Sequence, residues 1–95
     1  MTSLSTHVLD TGAGHPAAGV TVELWRDGTV VAATETDDDG RATLADDLEP
    51  GLYRIAFEPP SPFFRRVELE VELGDGHYHV PLLVSPYGCA SYRGS

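Results

Sequence analysis

The sequence predicts an all-β fold, a two-sheet antiparallel sandwich of about eight short strands. Two observations carry this reading. Apolar and polar residues alternate at period 2 in several runs, and Gly or Pro interrupts the chain almost every ten residues. Period 2 puts successive side chains on opposite faces of a strand, while Gly and Pro mark the turns between strands. Short strands at such spacing pack as a sandwich. With 95 residues, the chain forms a single domain over residues 1–95.

The strands fall near residues 3–10, 19–26, 29–36, 41–44, 52–57, 67–73, 77–84 and 89–93. In the second, Val20, Val22 and Leu24 alternate with Thr21, Glu23 and Trp25. Arg26-Asp27-Gly28-Thr29 is a hairpin signal, because Asp-Gly accepts the positive φ of a type I′ turn. Asp37-Asp38-Asp39-Gly40 is a second tight turn, followed by the short run Arg41 to Leu44. Asp46-Asp47-Leu48-Glu49 is compatible with one helical turn, and no long helix fits anywhere. Tyr53, Ile55 and Phe57 resume the alternation after Glu49-Pro50-Gly51. Val67, Leu69, Val71 and Leu73 then oppose Glu68, Glu70 and Glu72. The last two strands flank Ser85-Pro86-Tyr87-Gly88.

Composition narrows the function. Six Arg and no Lys stand against 15 acidic residues, a net charge of −9. Nucleic-acid binding needs a basic footprint, and docking on anionic lipid needs the same. Neither partner is expected. No apolar run is long enough for a transmembrane helix. The start MTSLSTHVLD lacks the basic and apolar regions of a signal peptide, so a cytoplasmic location is expected. The single cysteine, Cys89, excludes an internal disulfide and reads as a small buried hydrophobe. A domain this small buries only about 60–70% of its unfolded surface, so self-association would stabilise it.

Few residues announce chemistry by themselves. His77 and His79 are two apart in a strand and share a face, with Tyr78 opposite. Such a pair can bind zinc, but a structural site needs about four ligands, and one exposed plus one buried His is the favoured reading. His7 is mid-strand, and His15 precedes Pro16 in a solvated loop. Arg41 follows an acidic turn, where a surface ion pair is worth about 0–1 kcal/mol. That turn lacks the spacing and closing Glu of a calcium loop. No nucleophile-elbow motif is present.

Three segments say more together. They are Leu4-Ser5-Thr6-His7-Val8-Leu9-Asp10 leading to Gly14-His15-Pro16-Ala17-Ala18-Gly19-Val20, then Thr36-Asp37-Asp38-Asp39-Gly40-Arg41, then His77-Tyr78-His79-Val80-Pro81-Leu82-Leu83 through Ser85-Pro86-Tyr87-Gly88 to Tyr92-Arg93-Gly94-Ser95. Over nearly its whole length the chain resembles the transthyretin-related 5-hydroxyisourate hydrolase family. The Tyr-Arg-Gly-Ser end is the most specific of these signals.

The resemblance implies a transthyretin-like sandwich assembled as a homotetramer, a dimer of dimers, with active sites in the channel between dimers. It implies hydrolysis of 5-hydroxyisourate to 2-oxo-4-hydroxy-4-carboxy-5-ureidoimidazoline in urate degradation. His7, Arg41 and His79 take the catalytic positions. Tyr92, Arg93, Gly94 and Ser95 form the substrate-binding tail, with His77 in support. No metal or organic cofactor is implied. In such a site a neutral His activates water, and Arg disfavours the imidazolium and stabilises the oxyanion. Which His takes the proton is open at this point. Ser95 and its carboxylate are expected to order the site rather than to attack.

The chain departs from the family pattern in three places. Glu58-Pro59-Pro60-Ser61-Pro62 stands where the family has a helix-bearing segment, and three prolines in five residues exclude a helix interior. Arg65-Arg66 replaces Pro and an acid, and Cys89 replaces a common Tyr. Two alternatives compete with the hydrolase. One is a transthyretin-type carrier of a small ligand, whose apolar walls would not keep His7, Arg41 and His79. The other is a carboxypeptidase-regulatory-like structural module. That module shares turn patterns such as Asp10-Thr11-Gly12 and Glu49-Pro50-Gly51, but has no use for His-x-His or the Tyr-Arg-Gly-Ser end.

Overall fold

The computed structural model describes residues 1–94. Its strands, in chain order, are β1 (Thr2–Asp10), β2 (His15–Pro16), β3 (Thr21–Arg26), β4 (Thr29–Glu35), β5 (Arg41–Leu48), β6 (Gly51–Phe57), β7 (Val67–Leu73), β8 (Gly76–His79), β9 (Leu82–Ser85) and β10 (Gly88–Ser91). They form two sheets, and no helix occurs among the described residues. One sheet has the order β4-β3-β6-β7 and is antiparallel throughout. Its β3–β4 turn has positive φ at both Asp27 (50°) and Gly28 (77°), as a type I′ turn requires.

The other sheet is built around β1. The first half of β1 lies between β5, antiparallel, and β8, parallel. Its second half lies between β2, antiparallel, and β9, parallel, with β10 beyond β9. The expected sandwich is therefore mixed on this side. The chain leaves β1, builds the whole opposite sheet, and re-enters beside β1 from the same end. Such a long crossover is what parallel pairing needs.

Other boundaries differ from the pattern reading. Asp46 to Leu48 continue β5 instead of forming a helical turn, because pairing with β1 (Thr2 opposite Leu48) fixes them as strand. The strand expected over 77–84 is split at Val80-Pro81. Pro81 has no N–H for the ladder, while the Val80 N–H still donates to the Ser5 carbonyl at 2.9 Å. The last strand ends at Ser91. Residues 58–66 are irregular, as the prolines required. Cys89 is exposed rather than buried, because it sits on the edge strand β10.

Alternation builds the core. Leu4 and Val8 from β1, with Leu82 and Val84 from β9, meet Val22 and Leu24 of β3 and Ile55 and Phe57 of β6. Buried hydroxyls are paired, as burial demands. Thr6 Oγ1 donates to the Val80 carbonyl at 2.7 Å, and Thr36 Oγ1 donates to the Ala17 carbonyl at 2.6 Å. One consequence positions the site. Because Thr2, Leu4, Thr6 and Val8 point inward, Ser3, Ser5 and His7 point outward.

Candidate active site

Register gathers the outward residues. Across β1 and β5, His7 stands opposite Arg41. Across β1 and β8, Ser3 stands opposite His77 and Ser5 opposite His79. All of these side chains occupy one face. Ser5, His7, Arg41, His77, His79, Tyr92 and Gly94 line an open cavity of about 440 Å³. A recess of about 210 Å³ adjoins it, sharing Ser5, Arg41 and His79 and adding Asp37.

The acidic turn before β5 has a structural task. Asp37 Oδ1 accepts from the backbone N–H groups of Asp39 (2.9 Å) and Arg41 (3.0 Å). Gly40 closes the turn at φ 75°. This fixes the Asp39 carbonyl 2.8 Å from His7 Nε2. A carbonyl only accepts, so Nε2 carries the proton and Nδ1 is the basic nitrogen of neutral His7. The four ion pairs among the described residues do not include Arg41, so the surface ion pair is not formed. The guanidinium lines the cavity, and among the described residues it has no neutralising carboxylate within 4 Å.

His79 is half-buried and hydrogen-bonded through Nδ1 to Ser5 Oγ at 2.9 Å. Its imidazole is held below the ordinary pKa, first by burial, then by the Arg41 charge, then by His7 and His77. The sequence reading named only the Arg, but burial is the larger cause. His77 is exposed. Its Nδ1 lies 2.6 Å from Ser3 Oγ and its Nε2 lies 3.2 Å from Ser5 Oγ. Among the described residues no group of three or more His, Cys, Asp or Glu side chains is placed to hold a metal ion.

The tail returns to this site. Beyond β10, Gly94 forms an isolated antiparallel bridge with His79. Tyr92 and Gly94 reach the His cavity. Arg93 points to the other side, where its guanidinium lies 4.3 Å from the centre of the Tyr78 ring. There it lines a groove of about 510 Å³ between the tail and β7. Ser95 lies outside the described residues.

The model of the HIUase/Transthyretin family matches residues 4–94. The chain belongs to the HIUase/Transthyretin family. Within that family it is 43% identical to the 5-hydroxyisourate hydrolase of Caulobacter vibrioides, over an alignment covering 100% of both chains. That alignment runs to 115 positions against 95 residues here, so the relative carries residues this member of the HIUase/Transthyretin family lacks. The structure of Klebsiella pneumoniae 5-hydroxyisourate hydrolase superposes with a TM-score of 0.91 at 39% identity, covering 100% of both chains. Sea bream transthyretin in complex with thyroxine gives a TM-score of 0.85 at 26% identity, covering 96% of this chain and 93% of that one.

Sequence reasoning missed Ser5, Ser3 and the Asp39 carbonyl. Ser in a strand carries no signal of its own. The shared parity of Ser3, Ser5 and His7 on one strand, matched by His77 and His79 on another, was the available clue.

Proposed function

We propose that this chain hydrolyses 5-hydroxyisourate, opening its ring at a carbonyl. One observation carries the reading most directly: His7, Arg41 and His79 line one cavity on the outer face of β1, β5 and β8. Full-length similarity to proteins named for this activity supports the same substrate.

In this reading His79 is the base. Its Nδ1 is engaged by Ser5, so Nε2 is the nitrogen left to accept a proton. A depressed pKa keeps that nitrogen unprotonated at neutral pH. Water held at Nε2 loses a proton as its oxygen attacks the carbonyl. Arg41, not neutralised by any described carboxylate, stabilises the oxyanion that forms. The C–N bond then breaks, the nitrogen takes the remaining proton of the attacking water, and the carbonyl becomes a carboxylate. His7 Nδ1 supplies an acceptor for a substrate N–H, and the Tyr92–Gly94 tail walls the site.

The partner in assembly is a second copy of the chain. We read the protein as a homotetramer, a dimer of dimers, in which paired open faces meet around a water-filled channel that holds the cavities. Support comes from the openness of this face and from aromatic side chains left in solvent, such as Tyr87 at 75% exposure and Tyr92 at 59%. A carrier reading has less support. The cavity presents imidazole, guanidinium and hydroxyl groups, whereas small-molecule pockets are mostly apolar.

The deciding experiment is an ultraviolet assay with freshly generated 5-hydroxyisourate. Decay should be faster with protein than without. Equal rates at micromolar protein would overturn the assignment.

A further inference from the structure

Two side chains that the reaction does not explain, Ser5 and His77, stand in line with the base. Ser5 Oγ touches His79 Nδ1 at 2.9 Å and His77 Nε2 at 3.2 Å. His77 Nδ1 in turn touches Ser3 Oγ at 2.6 Å. The four groups form one unbroken chain from the half-buried His79 to the exposed His77 and Ser3 hydroxyl contact. The register of β1 and β8 holds it, because Ser3 faces His77 and Ser5 faces His79 across parallel strands.

We propose that Ser5 and His77 are a proton relay that returns the base to its neutral form by delivering its proton to solvent. This rests on the reading of His79 as the base. A hydroxyl accepts one hydrogen bond while donating another, and an imidazole takes a proton at one nitrogen and gives one up at the other. With His79 Nε2 free to receive, Nδ1–H donates to Ser5 Oγ. The Ser5 O–H donates to His77 Nε2, and His77 Nδ1–H donates to Ser3 Oγ.

The proton balance follows this line. Water gives a proton to His79 Nε2. The His79 Nδ1 proton passes to Ser5 Oγ as the Ser5 proton passes to His77 Nε2. The His77 Nδ1 proton then leaves toward Ser3 and water. One proton enters at His79, one leaves at His77, and reverse rotation of the hydroxyl and tautomers resets the chain. The reaction needs such an exit. Amide cleavage that yields a urea-type nitrogen, weakly basic at neutral pH, and a carboxylate releases one net proton, the one His79 took from water, and that proton has to reach solvent.

The groups around the relay favour transfer outward. Burial, then Arg41 from β5, His7 from β1 and His77 itself, disfavour the cationic form of His79, while Asp37 lines the adjoining recess with Arg41. Tyr92 lines the cavity from the tail. His77, at the exposed end, has water to receive its charge.

The test measures kcat and KM for Ser5→Ala, Ser5→Thr and His77→Asn in dilute buffer and with added imidazole at constant ionic strength. General acid–base groups contribute about 10²–10⁴-fold, and a group that only returns the proton should cost less, roughly tenfold in kcat. KM should hardly change. Imidazole should restore both Ser5→Ala and His77→Asn, and Ser5→Thr should keep its rate in dilute buffer because the hydroxyl remains. Parental kcat for Ser5→Ala and His77→Asn in dilute buffer would overturn the relay. A loss that imidazole does not restore would overturn it too, leaving Ser5 as an orienting residue only. If Ser5→Ala does not fold, His77→Asn decides alone, since its side chain is exposed. His79→Ala separates the two ideas. Activity retained there removes the base assignment, whereas an inactive His79→Ala beside buffer-independent relay variants removes the relay alone.

Discussion

The backbone N–H of Gly94 donates to the carbonyl of His79 at 2.6 Å. The tail therefore rests directly on the strand that carries the base, and a Cβ at Gly94 would stand only 2.7 Å from His79 Cδ2. That is closer than real side chains approach, so either the imidazole or the tail must move. Gly94→Ala should lower kcat by about 10²-fold, the usual cost of misplacing a catalytic group by an ångström. The melting temperature should stay near that of the parent, because the contact lies outside the core. Steady-state kinetics beside a thermal melt checks this, and an unchanged kcat would show that the ring does not depend on the tail.

The pH profile should report His79. Burial and then Arg41 disfavour its imidazolium, so the neutral form persists further into acid than an ordinary imidazole. The acid limb of kcat/KM should therefore lie below pH 6.5, the ordinary value. Arg41→Gln removes one cause and leaves the larger one. The His79 pKa should rise, without reaching the ordinary value. An NMR titration of His79 in both proteins measures the shift. Stability carries the same sign. With a folded pKa below the unfolded one, the His79 contribution is complete above the unfolded value and fades as pH falls through the folded value.

Arg41 should be needed as a fork as well as a charge. Arg41→Ala should cost about 10²–10³-fold in kcat, as for loss of one oxyanion donor. Arg41→Lys should fall between, because it keeps the cation but loses the planar pair of donors. Identical kcat for the Lys variant and the parent would reduce the role of Arg41 to charge alone.

What the sequence showed about fold and site differed in kind. Period 2 and turn chemistry are local, so the Asp27-Gly28 hairpin and the β7 alternation were legible. Pairing partners are not local. Nothing in Thr2 to Asp10 says that β1 will pair with four other strands, or that β8 and β9 will run parallel to it. Asp46 to Leu48 carry turn-forming residues, and only their pairing with β1 makes them strand. The site was legible through the resemblance, since His7, Arg41 and His79 are far apart in sequence. Cys89 was misjudged because its residue type does not reveal an edge strand.

Removing Tyr92 to Ser95 should abolish catalysis and leave a folded sandwich. The core after β8 is held by Val80, Leu82 and Val84, at 6%, 1% and 0% exposure, all ahead of the cut. Tyr92 is already 59% exposed, and Arg93 contributes a stack on Tyr78 at 4.3 Å rather than core packing. At roughly 25 cal/mol per Å² of apolar surface, so little burial makes a small folding penalty. The catalytic loss should be much larger. The tail supplies Tyr92 and Gly94 to the cavity, and a site depends on groups held to within about half an ångström. Arg93→Ala should show the intermediate case, because it frees the tail from Tyr78 while the Gly94 bridge to His79 remains. Far-ultraviolet circular dichroism and a thermal melt report the fold, and the 5-hydroxyisourate assay reports the site. Full activity in the truncated protein would refute the role of the tail. If truncation unfolds the chain, Arg93→Ala carries the test: parental kcat in a folded Arg93→Ala protein would show that its stack on Tyr78 does not position the site.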